Sequence, residues 1–144
     1  MPGLAEDAEY PLSPMQQGML FHYLSDPHSG VDIEQIVCSL PEALEEACFH
    51  DAWIRVVARH TALRTSFRWE QVDEPIQVVH EGVELPLTFE DWRDLGAADQ
   101  RRRIEAFLHA DRRQGFDALR APLLRVACFR LAAARSTCVW TVHH

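Results

Sequence analysis

Two apolar, alternating runs, Leu123 to Leu131 and Thr137 to His143, are joined only by the short link from Ala132 to Ser136. Side chains alternate across a strand, and so short a link admits a turn but no crossover. The two runs therefore predict an antiparallel hairpin. In the second run Cys138, Trp140 and Val142 share one face, while Thr141 and His143 take the other. Continued extension returns His144 to the Trp140 side. The adjacent histidines then point in opposite directions, one toward a supporting shell and one toward a cavity. Alternation alone does not assign which.

Upstream, helical and strand periods alternate. Ser13-Pro14-Met15-Gln16 is a helix start: serine as N-cap, proline at the first helical position, and glutamine three residues after the cap. Met15, Met19, Leu20, Tyr23 and Leu24 follow on one face, and their stripe reads as core packing. Pro27 ends the helix by disfavouring helical geometry at Asp26. Ile33 to Leu40 reads as a strand. Glu42 to His60 reads as a helix with Leu44, Phe49, Trp53, Val56, Val57 and His60 near one face. Leu63 to Trp69 alternates like a strand, and Ile76 to His80 and Leu85 to Phe89 are shorter strands. Ala97 to Arg113 is a second long helix with Ile104, Phe107 and Leu108 as its buried stripe. Met1 to Glu9 reads as a loose leader, and 10–144 as one folding unit. The expected class is α/β, an α+β two-layer sandwich in which helices pack on a mixed sheet.

Charge and cysteine content narrow the functions open to this chain. Acidic residues outnumber basic ones by 22 to 14, and a net charge of -8 disfavours nucleic acid or an anionic membrane as partner. Arg101, Arg102, Arg103, Arg112 and Arg113 are interleaved with Glu105 and Asp111 and read as a solvated helix face. Cys38, Cys48, Cys128 and Cys138 show no C-x-x-C spacing, so they read as buried thiols rather than a zinc or redox motif. His28, His50, His80 and His109 show no ligand spacing either, and no metal is expected. His22 and His60 read as structural. The acidic N-terminus lacks the pattern of a secretory signal, and no apolar run approaches the ~20 residues that cross a bilayer. The expected location is cytoplasmic.

Four segments carry a family resemblance. Tyr10-Pro-Leu-Ser-Pro-Met-Gln-Gln-Gly-Met-Leu-Phe-His22 opens the first helix. Arg59-His-Thr-Ala-Leu-Arg-Thr-Ser-Phe67 joins the second helix to a strand. Gly115-Phe-Asp-Ala-Leu-Arg-Ala-Pro-Leu-Leu-Arg125 leads into the hairpin, and His143-His144 ends the chain. In this order they resemble the first core motifs of condensation domains of nonribosomal peptide synthetases, members of the chloramphenicol-acetyltransferase-like superfamily. His143-His144 matches the start of that family's His-His-x-x-x-Asp-Gly motif. Thr61 stands where the family usually has Glu, and Gln17 where Glu is frequent. The sequence stops before the motif's Asp and Gly, so the resemblance covers an N-terminal lobe only.

The resemblance implies a specific chemistry. Two such lobes enclose a tunnel that admits phosphopantetheine arms from two carrier proteins. The acceptor aminoacyl amine attacks the donor acyl or peptidyl thioester, and an amide forms. His144 takes the family's catalytic position, His143 a supporting one, and Arg64 a structural one near the motif's Asp. An imidazole suits the step because its unperturbed pKa of ~6.5 lets it exchange a proton near neutrality. The residues leave open whether His144 positions the amine, removes its proton or stabilises the tetrahedral species. No covalently bound cofactor is implied. The implied partners are the donor and acceptor carrier proteins, neighbouring synthetase domains and the remaining lobe. The His pair is shared by epimerisation domains on the same scaffold, and a non-catalytic lobe that docks carrier proteins is a third expectation. A lobe alone is expected to be inactive and prone to associate through an uncovered sheet edge.

Overall fold

The computed structural model describes residues 7–144. Its elements are β1 (Ala8–Pro11), α1 (Pro14–Ser25), β2 (Ile33–Leu40), α2 (Glu46–Arg59), a 3-10 turn (Thr61–Arg64), β3 (Thr65–Arg68), β4 (Ile76–Val79), β5 (Leu87–Asp91), α3 (Ala97–Gln114), β6 (Leu124–Ala132) and β7 (Arg135–His143). Among the described residues the strands form two sheets, one ordered β1-β4-β3 and the other β2-β7-β6-β5. The mixed α/β class is as expected, with β5–β6 parallel and the other pairs antiparallel. Parallel neighbours need a crossover, and α3 supplies it between β5 and β6.

The predicted hairpin forms. Val126 pairs with Trp140 and Cys128 with Cys138, and the strands run on to Ala132 and Arg135 around a tighter turn than expected. Helices cover both faces of this sheet. On one face Ala127, Phe129 and Val139 pack with Trp92 against Ile104, Phe107 and Leu108 of α3. Phe129 stacks on the Trp92 ring at 3.9 Å, and Phe107 meets it edge-on at 5.1 Å. On the other face Leu124, Val126, Trp140 and Val142 meet Phe49, Trp53 and Val57 of α2. Trp53 and Trp140 sit edge to face at 5.2 Å.

Local chemistry accounts for most departures from the sequence reading. The serine cap forms as expected: Gln16 N donates to Ser13 Oγ at 3.2 Å, and Ser13 N donates to Gln16 Oε1 at 2.8 Å. The leader is shorter than expected, because Ala8 and Glu9 pair with Val79 and Val78 in β1–β4; residues 1–6 lie outside the described residues. The second helix begins at Glu46 rather than Glu42. Its lead-in is held along the sheet, where Ser136 Oγ donates to Glu42 O at 3.3 Å. Val56 and His60 are exposed rather than packed. Leu63 and Arg64 belong to a 3-10 turn rather than a strand, because Leu63 N donates to the His60 carbonyl and Thr65 Oγ1 to the Thr61 carbonyl. Cys128 is buried and Cys138 partly so, but Cys38 on edge strand β2 and Cys48 on the outer side of α2 are exposed, which corrects the expectation for those two thiols.

Candidate active site

Three parts of the fold converge on a cavity of about 490 Å³. The first is α1, aimed by its capped N-terminus, which contributes Met15, Met19, Leu20 and Tyr23. The second is the junction of α2 with β3, through Leu63, Thr65 and Phe67. The third is the open end of the hairpin, through Leu124, Val142, His143 and His144. The methionine stripe is therefore a cavity wall. Met15 is 75% exposed, which overturns its reading as core packing, and among the residues of α1 only Leu20 is fully buried. A helix whose apolar face borders an open cleft has the same sequence period as one that faces a core, so periodicity did not separate the two.

Both histidines line this cavity. Their rings nevertheless diverge as alternation predicts: His143 turns toward Tyr23 and Phe116, and His144 turns toward Glu34, which stands opposite Val142. His143 is half-buried between two aromatic edges, Tyr23 at 5.6 Å and Phe116 at 6.5 Å between ring centroids. Its backbone N–H donates to Leu123 O at 3.1 Å. Its Nδ1 lies 3.1 Å from the His144 carbonyl. A carbonyl only accepts, so this bond places the proton of neutral His143 on Nδ1 and leaves Nε2 free.

Burial holds His143 below the ordinary histidine value of 6.5, because desolvation penalises the imidazolium. The bond to the His144 carbonyl and the charge of Asp32 oppose that shift and are smaller. The unfolded chain therefore binds more protons than the folded one just below pH 6.5. The stability that this residue contributes at neutral pH is lost as pH falls through the unfolded value toward the lower folded one. The stability of the chain minus that of a His143→Gln variant, measured in urea, is expected to fall as pH drops from about 7.5 to about 5.5. A difference independent of pH would contradict this.

His144 is the more open of the pair, with its side chain 62% exposed. Its backbone N–H donates to Asp32 O at 2.7 Å, and its Nε2 lies 3.7 Å from a carboxylate oxygen of Glu34 on β2. It is thus fixed at the backbone while its ring has access to the cavity. Arg64 is not among the residues lining the cavity. Its guanidinium donates to the carbonyls of Val57 and Ala58 at the end of α2 and to that of His80 after β4. It caps the last turn of α2 and ties it to the smaller sheet.

A second polar cluster has the hydrogen-bond order of a nucleophile, a base and an orienting acid. Ser66 Oγ is 2.7 Å from His80 Nε2, and His80 Nδ1 is 2.8 Å from Asp7. Ser66 is only 3% exposed and does not line the histidine cavity, so no substrate reaches its hydroxyl there. The cluster fastens the N-terminal strand to β3 and β4.

The Condensation domain family model matches residues 6–144. The chain belongs to the condensation-domain family. One of the linear gramicidin synthase proteins of Brevibacillus parabrevis is 43% identical to it over 135 residues, covering 94% of this chain. Bacitracin synthase 3 of Bacillus licheniformis is 34% identical over 142 residues, covering 99% of it. The chain spans only 3% and 2% of the lengths of these relatives. Among solved structures, the starter condensation domain of rhizomide synthetase superposes with a TM-score of 0.83 at 23% identity, over 95% of this chain and 34% of that one. A four-domain nonribosomal peptide synthetase bound to AMP and glycine superposes with a TM-score of 0.79 at 19% identity, over 99% of this chain and 11% of that one. At these identities the likeness is one of fold. As expected, the chain matches the N-terminal part of a condensation domain. Among the described residues no helix is long and apolar enough to cross a membrane.

Sequence reasoning missed the support behind the histidine pair of this condensation-domain lobe. Tyr23 was legible only as one residue of an apolar helix face, and Phe116 only as part of a motif. Asp111 read as one acid in a solvated helix, yet it is 6% exposed. One signal was present: Arg125 interrupts an apolar strand, and an arginine there needs an acid beside it.

Proposed function

We propose that this chain forms the histidine-bearing wall of an amide-forming site in a nonribosomal peptide synthetase. The acceptor amine, carried as an aminoacyl thioester on one carrier protein, attacks the donor thioester carbonyl carried on another. The C–N bond forms and the C–S bond breaks. His144 positions the amine, takes the proton that the nitrogen sheds, and returns it to the departing phosphopantetheine sulfur. Imidazole as a chemical group suits both transfers, because it accepts and releases protons readily near neutral pH. His143 holds the His144 backbone and stays neutral beside it. Arg64 acts at a distance, by fixing the end of α2. The phosphopantetheine arms arrive with the donor and acceptor carrier proteins, and neighbouring synthetase domains and a second lobe complete the tunnel.

The observation that carries this reading is the convergence of both motif histidines on one apolar-walled cavity. Aliphatic and methionine side chains suit the acyl and pantetheine portions of a thioester substrate, and they exclude the water that would hydrolyse it. The test is reconstitution of a synthetase module that contains this chain with a donor-loaded and an acceptor-loaded carrier protein, with the amide product read by mass spectrometry. Product is expected only when both carriers are loaded and the second lobe is present. No product from the complete module, or full turnover by residues 1–144 alone, would overturn the reading.

A further inference from the structure

The row of side chains next to His143 on β7 converges on a single buried carboxylate. Thr141, two residues before His143, stands opposite Gln35 on β2 and Arg125 on β6. All three reach Asp111 on α3. Thr141 Oγ1 and Gln35 Nε2 donate to Oδ2, the latter at 2.9 Å, and Arg125 Nε donates to Oδ1 at 2.8 Å. A second Arg125 nitrogen donates to the Asp111 backbone carbonyl at 2.8 Å, and a third to the Gly115 carbonyl. The guanidinium is thereby held over the Phe116 ring, with its central carbon 4.1 Å from the ring centroid. Phe116 in turn presents its ring to His143. Tyr23 closes the other side, and its hydroxyl bridges the Phe116 carbonyl and the Ala118 amide at 3.4 Å each.

We propose that the Asp111–Arg125 ion pair, acting through Phe116, is a positioning element that sets the orientation of His143 and, through it, of His144. This rests on the amide-forming reading given above. The physical chain is continuous. Asp111 fixes the planar fork of Arg125 with two bonds, and a fork so held stacks on an aromatic ring in one orientation. Phe116 and Tyr23 flank the imidazole of His143. His143 Nδ1 then donates to the His144 carbonyl, which fixes the backbone from which the reacting imidazole projects. A neutral His143 also keeps a second positive charge away from His144. The charged and titratable groups around His143 are Asp32, His144, Tyr23 and, behind Phe116, Arg125, whose own charge is matched by Asp111.

Two variants test this, Phe116→Leu and Arg125→Lys. The first removes the aromatic edge, and the second keeps the charge but loses the fork. The titration of His143 is followed by NMR in this chain, and amide formation is followed in the synthetase module that contains it. Both variants are expected to move the His143 titration up toward the ordinary histidine value. Both are expected to lower kcat by about 10–100-fold, the scale of a small misplacement of a reacting group, with KM for the loaded carriers unchanged. Phe116→Tyr, which retains the ring, is expected to restore both readouts. Folded variants with an unchanged His143 titration, or with an unchanged kcat, would overturn the proposal. If His144→Ala leaves amide formation intact, the amide-forming reading fails instead; if His144→Ala abolishes it while Phe116→Leu does not lower it, only the positioning role fails.

Discussion

Asp111→Ala is expected to destabilise the chain by about 3–5 kcal/mol, the cost of breaking a buried ion pair by removing one partner. The Asp111 side chain is 5% exposed and that of Arg125 15%, so little water is available to solvate the charge left behind. The carboxylate also accepts from Thr141, which is 1% exposed, and from Gln35. Thr141 loses its acceptor in the variant, and a buried donor without a partner costs about 1–3 kcal/mol, whereas Gln35 Nε2 keeps its bond to the Leu108 carbonyl at 2.9 Å. Equilibrium unfolding in urea measures the loss. The double variant Asp111→Ala with Arg125→Met is expected to recover part of it, because the uncompensated charge is then gone. A loss below about 1 kcal/mol, the range of exposed pairs, would show that Asp111 is not a buried anchor.

His144→Ala is expected to have the opposite profile, a large loss of activity with the fold intact. Proton transfer by a positioned side chain contributes about 10²–10⁴-fold to a rate, and that is the loss expected in amide formation. Stability is expected to change by no more than about 0.5 kcal/mol, as for an exposed residue outside any packed cluster. The His144 ring is 62% exposed, and its one side-chain partner among the described residues, Glu34, lies 3.7 Å away and is itself 57% exposed. The backbone bond from His144 to Asp32 does not depend on the side chain. In the proposed function Asp111 and His144 thus have separate jobs: one holds the wall together and the other faces the reacting groups.

Much of this arrangement was legible because local rules and tertiary packing agree. The hairpin follows from two alternating runs and a short link, and α1 starts at Ser13 because serine, proline and glutamine occupy the positions that a capping box requires. Where a side chain from elsewhere decides the backbone, the sequence pattern misleads. Leu63 and Arg64 alternate like strand residues, but Arg64 folds back onto the carbonyls that end α2 and sets a tight turn. The parallel β5–β6 pairing was hidden because it is made through α3 and not by neighbouring segments. Which histidine meets the supporting shell depends on Tyr23 and Phe116, and periodicity does not report it. The Asp111 site joins β2, α3, β6 and β7, and in sequence its members look like a solvated acid, a stray arginine and two ordinary strand residues.

In the proposed function this chain supplies the histidine wall of an amide-forming site. The most direct test is single-turnover amide formation by a synthetase module containing this chain, with donor and acceptor carriers both loaded, compared between the parent and His144→Ala. A loss of about 10²–10⁴-fold is expected in the variant, with unfolding in urea unchanged. A folded His144→Ala module that forms the amide at the parental rate would contradict it.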